Sequence, residues 1–152
     1  MILVSACLLG QNCKYNGGNN NNPKLQKLFK QEEIIPVCPE KLGGLAIPRP
    51  PAEIKGGRGE DVLRGQAKVV NKLGADITQE FIKGAQKTLK IAKQNDCKLA
   101  ILKARSPSCG SQKIYDGSFV GEKKKGQGIT AALLAQEGIK IINEEELNKL
   151  EE

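Results

Sequence analysis

Three cysteines of this chain stand in settings that a buried core residue does not need. Cys7 lies in Ser5-Ala6-Cys7-Leu8-Leu9-Gly10, Cys38 in Pro36-Val37-Cys38-Pro39-Glu40, and Cys109 in Ser106-Pro107-Ser108-Cys109-Gly110. Around Cys7 the main-chain N–H groups are free to point at sulfur. Glu40, two residues beyond Cys38, is electrostatically awkward beside a thiolate unless something positive lies between them. Two hydroxyls, a stiffening proline and a permissive glycine surround Cys109. Hydrogen bonds of this kind tune metal–sulfur sites. From the residues alone three uses stay open: a metal or cluster site, a redox-active or nucleophilic thiol, and core packing.

The remaining cysteines read differently. Cys97 follows Asp96 at the end of a helical pattern, with no loop-forming residue beside it, and reads as structural. Cys13 sits in a loop rich in Gly and Asn and is open to three readings: ligand, sulfur carrier or bystander. Histidine is absent, which removes imidazole zinc sites, Cys-His dyads and imidazole acid–base chemistry. No C-x-x-C pair is present for a zinc knuckle. Thiolates from three scattered cysteines suit a 4Fe–4S cluster with one iron left open, a Lewis acid soft enough to take sulfur. That favours sulfur chemistry on a substrate over electron transfer.

The elements that must position these thiols are short apolar strands. Residues 1–6, Ile34–Val37 and Leu99–Leu102 read as buried strands, and each runs directly into one of the three cysteine loops. Helices are expected from Pro23 onward, over 78–95, over Ile129–Gln136 and over Glu144–Leu150, with another strand at 140–142. Residues 43–65 carry so many glycines and prolines that no regular element is expected there, followed by a short strand or hairpin near 62–70. Lys123-Lys124-Lys125 reads as a solvated turn. Gly56-Gly57-Arg58-Gly59 lacks a strand-to-helix setting and is discounted as a phosphate loop. Strands alternating with helices predict one Rossmann-like α/β domain over 1–152: three layers, α/β/α, around a mainly parallel sheet. Ligands bind such sheets outside the carboxyl ends of the strands, where the three thiols would converge.

The 152 residues suit a single core, and no run is long enough to span a bilayer. With no signal-like segment the expected setting is cytoplasmic, where thiols stay reduced. A formal charge of +7 favours anionic partners such as phosphates or RNA. The charge is mostly lysine spread over helix faces, without interleaved aromatics, so nucleic acid is not the favoured partner.

The motifs resemble a known family. The three cysteine motifs, together with Cys13-Lys14-Tyr15-Asn16-Gly17, Gly43-Gly44-Leu45, Pro48-Arg49-Pro50-Pro51-Ala52-Glu53 and Tyr115-Asp116-Gly117-Ser118-Phe119, resemble domain-of-unknown-function family 523 in order along nearly the whole chain. Members of that family include thiouracil desulfidases. The resemblance implies a 4Fe–4S cluster on Cys7, Cys38 and Cys109, with the fourth iron taking the sulfur of a thiolated pyrimidine base or nucleoside. It further implies Glu40 as acid/base and Ser106 as the assisting serine, with Ser108 the second choice. One departure is Asn16, where the family often carries Asp, so a carboxylate role is lost there. The competing expectation is a redox-sensing or binding module, with its cluster or thiols doing no catalysis. For Glu40 the structural alternative is an ion pair with Arg49 or a lysine, whereas Arg49 and Glu53 are expected to form a structural pair that also touches the pocket.

Overall fold

The computed structural model describes residues 1–150. In chain order the elements are β1 (Ile2–Ser5), α1 (Pro23–Leu28), β2 (Ile34–Val37), α2 (Pro39–Leu42), β3 (Ala52–Lys55), α3 (Gly59–Leu63) and β4 (Lys68–Asn71). They continue with α4 (Thr78–Gln94), β5 (Leu99–Leu102), β6 (Lys113–Tyr115), β7 (Lys123–Lys125), α5 (Ile129–Gln136) and β8 (Lys140–Asn143). Short 3-10 segments occupy Ala6–Leu9, Gln31–Glu33 and Glu144–Leu150.

A four-stranded sheet in the order β2-β1-β5-β8 forms the centre, and every neighbouring pair is parallel. The strands are apolar on both faces because both faces are covered. Leu3, Ala100 and Leu102 point into one core, shared with Ala92 of α4 and with Ala131 and Leu134 of α5. Val4, Ile101 and Ile142 point into the other, against Leu8, Leu25 and Leu147. The result is the expected three-layer, Rossmann-like arrangement. Since β1, β2 and β5 run the same way, their carboxyl ends share one edge, and the segments that follow them meet there.

A third apolar cluster forms beside the sheet. Ile54 and Val69 of the antiparallel β3–β4 hairpin pack with Val62 of α3, Phe81 of α4, Ile114 of β6 and Ile129 of α5. This corrects the expectation that residues 43–65 hold no regular element. The breakers mark the ends of β3 and α3, and burial of Glu53, Ile54 and Val62 outweighs local propensity. The strand expected near 62–70 is β4, and α3 takes residues 59–63. Gly56-Gly57-Arg58-Gly59 therefore does lie between a strand and a helix, contrary to expectation. That helix is only five residues long, and the Gly59 N–H is taken by the Gln127 carbonyl at 2.8 Å.

Two further corrections concern lysines and the closing segment. Lys123–Lys125 is strand β7, paired antiparallel with β6 and not a turn, with Lys123 opposite Tyr115. The closing segment is a 3-10 helix, held at its start by the Asn143 side chain, which accepts the Glu145 N–H at 2.8 Å. No helix among the described residues is long and apolar enough to cross a membrane.

Candidate active site

Cys7 is placed by the tight 3-10 turn that follows β1. Gly10 ends that turn at φ 88°, a left-handed conformation that glycine adopts without strain. The asparagine run then folds back over it. The Asn20 N–H donates to the Cys7 carbonyl at 2.9 Å, and the Asn20 side-chain amide donates to Cys7 Sγ at 3.5 Å. Cys38 sits between β2 and α2, and Pro39 starts the helix whose next residue is Glu40.

Cys109 is held from two sides. Ser5, at the end of β1, accepts the Lys103 N–H at 2.9 Å and donates to Cys109 Sγ at 3.5 Å. On the other side, α5 starts without a side-chain cap. Its leading N–H groups instead donate to the cysteine loop: Ile129 to the Pro107 carbonyl at 2.8 Å and Thr130 to the Ser108 carbonyl at 2.9 Å. A helix start thus satisfies itself while fixing the loop. Glu144 completes the frame by accepting the Ala104 N–H at 2.8 Å and pairing with Lys103 Nζ at 3.0 Å.

Cys7, Cys38 and Cys109 line one cavity of about 390 Å³, together with Cys13, Glu40, Arg49, Ser106 and Ser108. Cys97 lies apart, in the core on one face of the sheet. The electrostatics around the thiols are uneven. A hydrogen bond from the Cys13 thiol, with help from Asn20, brings Cys7 down to about 7 against the cost of burial. The same Cys13 proton, shared between the two sulfurs and aided by the Lys41 N–H, brings Cys38 down to about 6. Cys13, its one proton held between Cys38 and Cys7, is driven upward. Burial pushes Cys109 up to about 12 in spite of Ser5 and Ser108.

Beside the thiols runs a chain of polar groups. Arg49 Nε donates to Glu40 Oε1 at 3.1 Å, and Ser108 Oγ donates to Glu40 Oε2 at 3.1 Å. Ser106 Oγ lies 3.4 Å from Ser108 Oγ and accepts the Cys109 N–H at 2.7 Å. The other two nitrogens of Arg49 donate to the carbonyls of Ala46 at 3.1 Å and Cys13 at 3.0 Å. This corrects the expected Arg49–Glu53 pair: Arg49 pairs with Glu40, and Glu53 is satisfied by main-chain N–H groups of Gly117 and Phe119 instead. Asn20, Ser5 and Lys103 carry no role in the sequence reading. The asparagine run looks like loop filler until its fold-back is seen, and Ser5 differs from other serines only in lying two residues before a cysteine.

Donors aimed at Cys7 and Cys109, two thiols poised near neutral pH, and a third needing a nearby positive charge to ionise together fit a thiolate-bound, multi-iron group. No set of three or more His, Cys, Asp or Glu among the described residues forms a cage for a metal ion.

Fold and site define an α/β protein with a thiol-lined pocket at the carboxyl edge of its parallel sheet. The family model for 2-thiouracil desulfurase matches residues 2–146, and the chain belongs to that family. It is 51% identical over 150 residues to the uncharacterized protein YbbK of Bacillus subtilis strain 168, covering 99% of each chain. Among solved structures, it is similar to the 4Fe-4S-dependent thiouracil desulfidase TudS. The TM-score is 0.86 at 41% identity, over 99% of this chain and 94% of that one. The family expected from the motifs is the family found.

Proposed function

We propose that this protein hydrolytically removes sulfur from a thiolated pyrimidine of the 2-thiouracil, 4-thiouracil or thiouridine type, using a 4Fe–4S cluster held by Cys7, Cys38 and Cys109. Family membership and the likeness to TudS support the chemistry. The observation that carries it is the chain Arg49–Glu40–Ser108–Ser106, which opens on the same cavity as the three thiols. When bound, the cluster supplies a Lewis-acidic, sulfur-seeking iron.

The residues of this chain do the rest. Glu40, steadied by Arg49 on one oxygen and Ser108 on the other, takes the proton of a water. The water oxygen bonds to the thiocarbonyl carbon, and its second proton passes to the sulfur as the carbon–sulfur bond breaks. Sulfur leaves as hydrosulfide, and Glu40 gives its proton up to solvent. The carbon ends as a carbonyl, with no net oxidation or reduction. The Ser106 hydroxyl, whose oxygen already accepts the Cys109 N–H, turns its proton from Ser108 Oγ, 3.4 Å away, to the nucleobase or the departing sulfur. All five cysteines are free thiols, which supports a reducing, cytoplasmic setting.

Anaerobic reconstitution with iron and sulfide tests the proposal. The expected product is brown, with about four irons per chain, and consumes the thiocarbonyl absorbance of 2-thiouracil or 4-thiouridine while releasing sulfide. A preparation that stays colourless overturns the reading, as does a loaded protein that leaves the substrates intact.

A further inference from the structure

Two acidic side chains line the cavity, Glu40 and Glu53. The polar chain described above uses Glu40 and leaves Glu53 without a part. Glu53 is on β3 and only 8% exposed. Its Oε1 accepts two main-chain N–H groups, from Gly117 at 2.9 Å and Phe119 at 3.2 Å. Among the described residues no lysine or arginine forms an ion pair with it. Its second oxygen, Oε2, has no partner among the described residues. Yet that oxygen is not sealed in protein, since the only fully buried side-chain N or O atom lacking a partner among the described residues is Thr130 Oγ1. Oε2 therefore keeps some exposure, and Glu53 is one of the residues lining the cavity.

A carboxylate placed this deeply is costly unless donors reach it. The main chain satisfies and immobilises one oxygen. The other is left as an acceptor on a residue that lines the cavity. Both tyrosines of the chain, Tyr15 and Tyr115, line the same space and offer aromatic surface to a planar ring. Building on the proposed desulfidase reading, we infer that Glu53 is the residue that selects the ring: its Oε2 accepts the N3–H of the pyrimidine. That N–H adjoins the thiocarbonyl carbon in both 2-thio and 4-thio bases. Unlike N1–H, it survives in a nucleoside. The carboxylate thus reads a donor common to all candidate substrates and rejects rings alkylated at N3.

Binding of the unreactive product rings tests this without relying on turnover. Calorimetry on the cluster-loaded protein compares uracil, 1-methyluracil and 3-methyluracil. In the wild type, methylation at N3 is expected to weaken binding by about 10- to 100-fold, the loss of one hydrogen bond to a charged group, and methylation at N1 to change it little. In Glu53→Gln the amide presents a donor to the ring, so uracil weakens and the difference between uracil and 3-methyluracil disappears. An equal N3-methyl penalty in wild type and variant overturns the inference. So does the absence of any penalty in the wild type, a result that needs no variant to fold. Turnover of 4-thiouridine by that same wild-type sample would leave the desulfidase reading standing while the role of Glu53 fell.

Discussion

Gly84 in the middle of α4 and Gly43 at the end of α2 meet back to back. A Cβ on Gly84 would lie 2.0 Å from the Pro39 carbonyl oxygen, and one on Gly43 would lie 2.0 Å from the Glu80 carbonyl oxygen. Main chain touches main chain here, so α2, which carries Glu40 and begins at Cys38, rests on α4 with no side chain between. Gly84→Ala should force the helices apart. Overpacking of this kind costs about 1–3 kcal/mol, which for a chain of this size lowers Tm by roughly 2–4 °C per kcal/mol. Thermal unfolding with iron analysis checks it: Tm should fall and loading at Cys38 should weaken.

The cysteines should divide cleanly by iron content. Replacement of Cys7, Cys38 or Cys109 by Ala should abolish retention of iron and sulfide after anaerobic reconstitution. Cys97→Ala should keep both and lose only stability, since that thiol is core. Metal analysis and visible absorbance distinguish the two outcomes.

Glu40→Gln should retain the cluster and lose about 10²–10⁴-fold in kcat, the usual worth of a positioned general acid or base. Ser108→Ala removes one of the two groups steadying that carboxylate and should slow the same step. Ser106→Ala should do more, because the Cys109 N–H loses its 2.7 Å acceptor. Steady-state kinetics on reconstituted protein, beside the iron content of each variant, separates effects on chemistry from effects on loading.

Away from the site, Asp76 should give α4 an acid-sensitive start. Its Oδ1 accepts the Thr78 hydroxyl at 2.6 Å and the Thr78 N–H at 3.0 Å. Those bonds from Thr78 hold the Asp76 carboxyl below its ordinary range. The folded state thus releases this proton more readily than the unfolded chain does. The associated stability is complete above the unfolded carboxylate value, near 4, and fades as pH falls through the lower folded one. Asp76→Asn should flatten that part of a Tm-against-pH curve.

The central sheet was legible in the sequence because its strands are apolar on both faces and each runs into a distinctive loop. The three thiols at the strand ends followed from that parallel order. What stayed hidden was tertiary. No local pattern announces that the asparagine run folds back onto Cys7, or that Arg49 turns to Glu40 and away from Glu53. The β3–β4 hairpin was masked by the prolines and glycines at its margins, and β7 by three consecutive lysines, whose main chain pairs with β6 while Lys123 and Lys125 stay exposed. The serines could be named from their motif, but which one touches Glu40 depends on how the start of α5 grips the loop.

The strand order also sets a timetable. β5 pairs with β1 in the middle of the sheet, although nearly two thirds of the chain separates them. A ribosome that has released only the first 98 residues has made Cys7, Cys13 and Cys38 but left one edge of β1 bare. The wall bearing Ser106, Ser108 and Cys109 does not yet exist. The pocket closes only when β5 slots in and α5 seats its first N–H groups on the loop behind it. Iron delivered before that moment meets exposed thiols and no completed pocket, so correct loading belongs to the finished chain.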